Sequence, residues 1–190
     1  MTPRTHQQYF ERAYSSDAQV FGRVDGWYET RKRQILLSSL LQPRYTSVFE
    51  PGGGIAALTI PLAARSDKLL MMDWSVSALK YAQEAMVGYA NVEFYNGALP
   101  ESWPEQRRFD LIVFSEILYY LSEAEVHTVA RRTLQSLATG GEIALLHWRH
   151  ASADYPLTAH KAHAIFLTTC DTLQTRVTHR DQDFLLHILA

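Results

Sequence analysis

The sequence predicts an α/β fold with a mostly parallel sheet and helices on both of its faces. Short apolar stretches alternate along the chain with stretches of helical spacing. The apolar stretches are nearly continuous, which is typical of strands buried on both faces. The 190 residues fit a single domain. We expect an N-terminal helical cap, or lid, over residues 1–45 and an α/β core over 46–190.

The predicted elements follow one another in a regular order. Helices are predicted over 5–14 and 25–41, the second from its apolar spacing, and Pro43 ends the second of them. Ser122 followed by Glu125 is a capping-box signature for a later helix. The remaining predicted strands are 46–51, 68–74, 92–96, 109–116 and 140–148, the remaining helices are 55–65, 75–88, 122–138 and 157–169, and 173–180 with 183–190 form an antiparallel hairpin.

Composition and charge exclude several classes of protein. The net charge is −2 and the basic residues are dispersed, whereas a sequence-independent nucleic-acid binder is usually strongly basic. The single cysteine, Cys170, excludes an internal disulfide framework and a multi-cysteine zinc site. The first 17 residues are polar, and no apolar run approaches the roughly 20 residues that span a bilayer. We expect a cytoplasmic protein without a secretory signal, nucleic-acid partner or membrane contact, and the oligomeric state stays open.

Three adjacent glycines, Gly52 to Gly54, separate the first core strand from the next helix. Glycines are costly inside regular elements, but the missing Cβ lets a ligand approach the backbone. Gly52-x-Gly54-x-x-Ala57 fits the dinucleotide fingerprint. Glu50-x-Gly52-x-Gly54-x-Ala56 fits the acid–glycine loop of S-adenosylmethionine (SAM) enzymes. The loop alone leaves NAD, SAM and a purely structural turn as alternatives.

Two acidic residues near the loop indicate a nucleoside ligand, and one of them favours SAM. Asp73 ends the second core strand, roughly 20 residues beyond the glycines, where an acid accepts hydrogen bonds from ribose hydroxyls. Trp74 follows it and is a candidate to lie against an adenine ring. A ribose occurs in both NAD and SAM, but Glu50 separates them. Its carboxylate is unfavourable beside a pyrophosphate and favourable beside the cationic amino and sulfonium groups of SAM.

The segments EPGGGIAALT, LLMMDWS, ALPESWP, RFDLIVFSEILYYL and HWRH…DYPLT resemble class I SAM-dependent methyltransferases. With WYETRK upstream, they are most similar to the NodS-like N-methyltransferases. The resemblance implies a Rossmann-like seven-stranded sheet with an antiparallel last strand, which the terminal hairpin fits. It also implies SAM as cofactor and N-methylation of a small polar amine, such as an amino sugar or an oligosaccharide amine.

The chain departs from the family pattern at two places. Ala56 stands at the third glycine of the loop, and Asn96, Gly97 and Ala98 replace an acid after the third strand. Adenine contacts would then rest on backbone groups near Ala98 and Leu99, or on Asn96. These departures leave room for a non-catalytic module that binds SAM or its product S-adenosylhomocysteine (SAH).

The candidate catalytic residues are Glu116 and His147, at the ends of the fourth and fifth core strands. Either side chain is suited to take a proton from an attacking amine. The predicted cofactor-binding residues are Trp27, Arg31, Glu50, Gly52, Gly54, Asp73, Trp74, Ala98, Leu99 and Ser115. The predicted acceptor-binding residues are Tyr28, Tyr119, Arg149 and His150. Arg31 is expected to hold the SAM carboxylate through a bidentate contact, and no metal is expected.

Several of these residues have an alternative explanation that involves no ligand. Glu116 could be an exposed loop acid, Trp27 and Tyr28 could pack the helix on the sheet, and Arg31 could belong to a solvated basic face. O-methylation uses the same scaffold and stays open. An NAD-linked oxidoreductase is disfavoured, because the chain is too short for a separate substrate domain and the terminal hairpin is not expected of a simple NAD domain.

Overall fold

A computed structural model describes residues 11–15, 25–150, 152–153 and 155–190 of the chain. Its seven strands form one sheet in the order β3-β2-β1-β4-β5-β7-β6. Of these strands, only β7 runs antiparallel to its neighbours. The predicted α/β fold with an antiparallel last strand is therefore confirmed. The strands are β1 (Tyr45–Pro51), β2 (Ser66–Asp73), β3 (Val92–Asn96), β4 (Phe109–Ser115), β5 (Leu137–Trp148), β6 (Thr175–Arg180) and β7 (Phe184–Leu189).

Helices cover both faces of this sheet. They are α1 (Trp27–Ser39), α2 (Thr59–Ala63), α3 (Val76–Ala85), α4 (Glu123–Ser136) and α5 (Ala159–Thr169), with a 3-10 helix at Leu118–Tyr120. Residues 11–15 are also helical. One core cluster lies under α4 and α5, and the other under α1, α2 and α3. Neighbouring strand residues divide between the clusters, as Ile112 and Val113 do, because successive side chains point to opposite faces. Within the described residues, no helix has both the length and the apolar character to cross a bilayer.

Most predicted elements agree with the structure, and α2 differs most. It was expected over 55–65 but occupies only Thr59–Ala63. The chain before it passes through the left-handed region, with φ of 58° at Gly54 and 68° at Ala56, so a helix cannot begin there. The capping box of α4 is confirmed, because Ser122 Oγ accepts from Glu125 N and Glu125 Oε2 accepts from Ser122 N.

The predicted N-terminal cap is described only in part. Residues 1–10 and 16–24, including most of the helix expected over 5–14, lie outside the described residues. α1 packs on the sheet through Leu36, and Leu40, which follows the last residue of the helix, lies in the same core cluster. Its first turn reaches the edge where the parallel strands end, so α1 both completes the core and faces that edge.

Candidate active site

A cavity of about 660 Å³ opens at the carboxyl ends of the parallel strands. Its wall includes Gly52 after β1, Asp73 at the end of β2 and Ser115 at the end of β4. The strand order reverses between β1 and β4, and open α/β sheets bind ligands at this switch point. The fold therefore places the predicted strand-end residues around one space.

The glycine loop is shaped by close contacts as well as by conformation. Gly52 has φ of 76°, and a Cβ there would lie 2.7 Å from Ile117 Cδ1. A Cβ on Gly53 would lie 2.6 Å from Met71 Cγ. Gly52 N donates to Met72 O at 2.7 Å, which ties the loop to β2. The glycines thus meet a structural need and also bring bare backbone to the cavity.

Asp73 links the loop to the second strand. Its carboxylate accepts hydrogen bonds from Gly54 N at 2.9 Å and from Ser75 N at 2.8 Å. Burial raises the pKa of Asp73 to about 6, although these backbone donors act in the opposite direction. A carboxylate offers roughly four acceptor positions, so Asp73 keeps capacity for further donors such as ribose hydroxyls.

Glu50 is a buried acid with an unsatisfied oxygen. The residue is 2% exposed, and its Oε2 has no hydrogen-bond partner among the described residues. Burial raises its pKa to about 8, and the neighbouring Asp73 carboxylate adds to the rise. An unpaired buried oxygen costs about 1–3 kcal/mol. A cationic donor in the cavity would satisfy it, so the residues present fit the amino group of SAM.

Glu116 lies at the centre of a hydrogen-bonded cluster. Its Oε1 accepts from Lys32 Nζ at 2.7 Å. Its Oε2 accepts from the Tyr119 hydroxyl and from Trp148 N, the latter at 3.0 Å. Lys32 is 5% exposed and also donates to Glu29 Oε1 at 2.8 Å. The cluster joins α1, the end of β4, the 3-10 helix and β5 at one wall of the cavity.

This setting makes Glu116 a weak proton acceptor, in contrast to the predicted base. Burial alone would raise its pKa, but the Lys32 charge and the hydrogen bonds from Lys32 and Tyr119 hold the pKa below its usual value. Three donors already occupy the carboxylate. The structure therefore gives Glu116 an anchoring role toward Lys32 and Tyr119.

The assignment of His147 as a base is wrong. The side chain is 0% exposed and is not part of the cavity wall. Its Nε2 accepts from Leu118 N at 3.0 Å, and its Nδ1 lies 2.8 Å from His163 Nε2. Burial lowers the pKa of His147 to about 4. The residue holds the 3-10 helix in place and has no access to a substrate.

Three further predicted residues lie away from the cavity wall. Arg31 Nη1 pairs with Asp181 Oδ2 at 2.5 Å. Arg149 Nη1 donates to Asp181 O at 2.9 Å, and His150 Nε2 lies 3.1 Å from Asp183 Oδ1. All three side chains engage the β6–β7 turn. The structure therefore corrects the expected contact of Arg31 with the SAM carboxylate and the expected acceptor contacts of Arg149 and His150.

The other predicted residues line the cavity. They are Trp27, Tyr28, Glu50, Gly52, Gly54, Asp73, Trp74, Ala98, Leu99, Ser115, Glu116 and Tyr119. Trp27 is 77% exposed, so it does not serve the helix packing proposed as its alternative. Tyr28 does pack, edge-on against Phe184 at 6.4 Å, and its hydroxyl is buried without a partner among the described residues.

Sequence reasoning missed several residues of the wall, among them Tyr14, Lys32 and Tyr155. Tyr155 stacks on Tyr119 with ring centroids 4.5 Å apart, and Tyr120 meets both rings edge-on. Lys32 was not singled out, because it lies between two other basic residues in the run RKR at 31–33. Its spacing of three residues from Glu29, which places both on one helix face, was the available signal.

Comparison with known proteins agrees with this geometry. Residues 48–141 match a family described as a methyltransferase domain. A candidate methyltransferase of known structure from Pseudomonas syringae is 36% identical, with a TM-score of 0.76 over 86% of this chain and 99% of its own. The chain belongs to the class I SAM-dependent methyltransferases.

The methyltransferase is also similar to proteins with curated functions. Nodulation protein S of Rhizobium tropici is 32% identical over 124 residues, which are 64% of this chain and 52% of that protein. A phosphoethanolamine N-methyltransferase of Triticum aestivum is 32% identical over 117 residues, 60% of this chain and 23% of that protein. The chain thus spans about half the length of the first relative and about a quarter of the second.

One solved structure shares nearly the whole fold. The N-methyltransferase NodS of Bradyrhizobium japonicum WM9, in complex with SAH, has a TM-score of 0.84 and 22% identity over 96% of both chains. Together with the sequence matches, it confirms the resemblance of this methyltransferase to the NodS-like group and the use of SAM by its family.

Proposed function

We propose that the protein transfers a methyl group from SAM to a nitrogen atom of a small, polar amine. The observation that carries this proposal is the unsatisfied carboxylate oxygen of Glu50, buried beside Asp73 at a glycine-backed cavity. The SAM amino group would donate to that oxygen as a cation, whereas an anionic pyrophosphate beside the same carboxyl group would be unfavourable. When bound, SAM supplies an electrophilic methyl group on its sulfonium.

The residues at the strand ends would form the cofactor half of the cavity. Asp73 would accept hydrogen bonds from the ribose hydroxyls, and Glu50 would accept from the amino group. Trp74 and the backbone near Ala98 and Leu99 would border the adenine ring. They line the cavity where the ends of β2 and β3 meet, since Gly97 N donates to Asp73 O at 3.1 Å and Asn96 Nδ2 donates to Trp74 O at 3.0 Å. Gly52 and Gly54 let the ligand lie against the main chain.

The acceptor half of the cavity is aromatic and carries both signs of charge. Tyr119, Tyr120, Tyr155 and Trp148 line it, together with the Lys32–Glu116 pair. Aromatic faces attract the cation that forms on a methylated nitrogen. The volume of about 660 Å³ lies within the range of roughly 300–1,000 Å³ of small-molecule sites, which supports a small acceptor beside the cofactor.

Catalysis would rest on alignment. Glu116 is occupied by three donors and His147 is buried, so neither supplies a ready base. The residues of the cavity wall would hold the acceptor so that its nitrogen lone pair points at the methyl carbon from the side opposite the sulfur, at near-attack distance. The N–C bond forms as the C–S bond breaks, and the product ammonium then loses its proton to water. The N-methyltransferase names of the relatives support nitrogen over oxygen as the acceptor atom.

The proposal is tested by binding and by transfer. Isothermal titration with SAH and with NAD separates the two cofactor classes, and we expect binding of SAH alone. Transfer from methyl-labelled SAM is then measured to phosphoethanolamine, glucosamine and a chito-oligosaccharide amine, with glycerol phosphate and glucose as hydroxyl counterparts. Label on an amine and not on its counterpart supports the proposal. SAH binding with no transfer to any compound would indicate a binding module, and label only on hydroxyl compounds would indicate O-methylation.

A further inference from the structure

Lys32 has an unusual position for a lysine. Its ammonium lies below the surface between two carboxylates, 2.8 Å from Glu29 Oε1 and 2.7 Å from Glu116 Oε1. It also lies over the ring of Tyr28, 4.8 Å from the centroid. Burying an ammonium is costly unless it is paired. The structure pairs it twice, and both Lys32 and Glu116 face the acceptor half of the cavity.

The hydrogen bonds of the cluster have a fixed direction. Lysine can only donate, so Glu116 Oε1 accepts. Trp148 N also donates to the same carboxylate, at 3.0 Å to Oε2. An ionised carboxylate only accepts, so the Tyr119 hydroxyl must donate its proton to Oε2. The phenol oxygen of Tyr119 then has only lone pairs left, and no described residue donates to it.

We propose that Lys32 is a positioning residue for the acceptor. By holding Glu116 as a carboxylate, Lys32 keeps the Tyr119 proton directed at Glu116. The Tyr119 oxygen is then left to accept a hydrogen bond from the acceptor's N–H. This rests on the proposed function, because it assigns a role at the same site. The nitrogen's own lone pair stays free for the methyl carbon, while its N–H is held by Tyr119.

The order of the cluster depends on the charge of Lys32. If Glu116 were protonated, its hydroxyl could donate to Tyr119, and the Tyr119 proton could then turn toward the cavity. The titratable groups that face Glu116 are Lys32 and Tyr28 from α1, Tyr119 from the 3-10 helix and His147 from β5. Burial keeps His147 uncharged near neutral pH, with its pKa lowered to about 4. Lys32 is thus the cation that holds Glu116 ionised.

The experiment reads the Tyr119 hydroxyl directly by NMR. The ten tyrosines are labelled with ¹³C at Cζ, whose shift depends on whether the phenol donates. The Tyr119 signal is assigned by its loss in Tyr119→Phe. Spectra are recorded with SAH between pH 5 and pH 8 for the wild type, Lys32→Met and Lys32→Arg. We expect a pH-independent signal in the wild type and in Lys32→Arg. In Lys32→Met we expect a shift with pH, as Glu116 gains and loses a proton.

Two further variants complete the test. Lys32→Met combined with Glu116→Gln should give a signal that no longer moves with pH, because the titrating carboxyl is gone. Glu116→Gln alone should move the Tyr119 signal from its wild-type position, which keeps the idea testable if Lys32→Met does not fold. A Tyr119 signal that matches the wild type at every pH in Lys32→Met, or in Glu116→Gln, overturns the role of Lys32.

The same samples separate this proposal from the proposed function. SAH binding is measured first by titration calorimetry. Absence of SAH binding in the wild type would refute the proposed function, whatever the tyrosine signal does. SAH binding together with an unmoved Tyr119 signal would refute only the positioning role. With an amine that accepts the methyl group, we expect Lys32→Met to lower kcat at least tenfold near pH 6 and to recover as the pH rises, with Lys32→Arg close to the wild type.

Discussion

Replacing Glu50 by glutamine should change how the stability of the free protein depends on pH. In the folded protein the Glu50 carboxyl has a pKa of about 8, against an ordinary value of 4.5. A carboxyl with a raised folded pKa favours the protonated form. Its effect on stability is therefore absent below pH 4.5 and becomes unfavourable as the pH rises from 4.5 toward 8. Glutamine removes this titration while keeping a similar shape.

The size of the effect follows from the two pKa values. Between pH 5 and pH 7 the Glu50 titration removes on the order of 2.5 kcal/mol from the free energy of unfolding, at about 1.36 kcal/mol per pKa unit. Glutamine adds a fixed cost, since its buried amide lacks a full set of partners. This fixed cost cancels when the two pH values are compared. From pH 5 to pH 7, the free energy of unfolding of Glu50→Gln should therefore rise by about 2–3 kcal/mol relative to that of the wild type.

Urea denaturation at pH 5, 6 and 7 measures this directly. Glu84→Gln makes the same chemical change at an exposed site of α3 and serves as the control. Other groups that titrate in this range, such as the buried histidines, are common to both proteins and drop out of the difference. If Glu50→Gln and the wild type follow parallel curves with pH, Glu50 is not a buried acid of raised pKa, and the argument for a cationic ligand loses its main support.

Three further changes test the site and its supports. Asp73→Ala should weaken SAH binding by about 1–3 kcal/mol in calorimetry, because it removes acceptors for the ribose; unchanged affinity would contradict the ribose role. Gly52→Ala should lower the free energy of unfolding by about 1–3 kcal/mol more than Gly140→Ala. Both glycines have positive φ, but only at Gly52 would a Cβ meet Ile117, and equal losses in urea denaturation would exclude that clash. His147→Phe should cost about 1–3 kcal/mol at pH 7, because it leaves the Leu118 amide unpaired. The folded pKa of His147 is about 4, below its ordinary 6.5, so its stabilisation is complete above pH 6.5 and is lost as the pH falls toward 4. Measured by urea denaturation, the loss of unfolding free energy in His147→Phe should therefore become smaller as the pH falls from 6.5 toward 4. A loss that stays constant over this pH range would show that His147 does not titrate so low.

The sheet and much of the cofactor half of the cavity could be predicted because they depend on the order of elements. Alternating apolar and helical stretches predicted a parallel sheet, and the ends of parallel strands then had to meet at one edge. Glu50, Asp73 and Ser115 were placed at the cavity by that reasoning alone. The length of α2 was not accessible, because it depends on Ala56 adopting a left-handed conformation that alanine rarely takes.

The orientation of individual side chains was harder to predict. Along β5, Trp148 lines the cavity while His147 points to the opposite face, where it meets His163 of α5. A shift of one residue in a strand reverses such an assignment. On α1, Arg31 and Lys32 are neighbours in sequence, yet Arg31 reaches the β6–β7 turn and Lys32 reaches Glu116. Sequence spacing defines a helix face but not which element that face meets.

The two roles of α1 have a consequence for how this protein can change over evolution. Its first turns border the acceptor end of the cavity through Tyr28 and Lys32, and its later turns fill the core through Leu36. A substitution of Tyr28 or Lys32 that reshapes the cavity would also remove the contact with Phe184 or the ion pair with Glu116 that holds α1 on the sheet. Descendants that adopt a new acceptor should therefore carry their changes at Tyr120 and Tyr155, which line the cavity from outside α1.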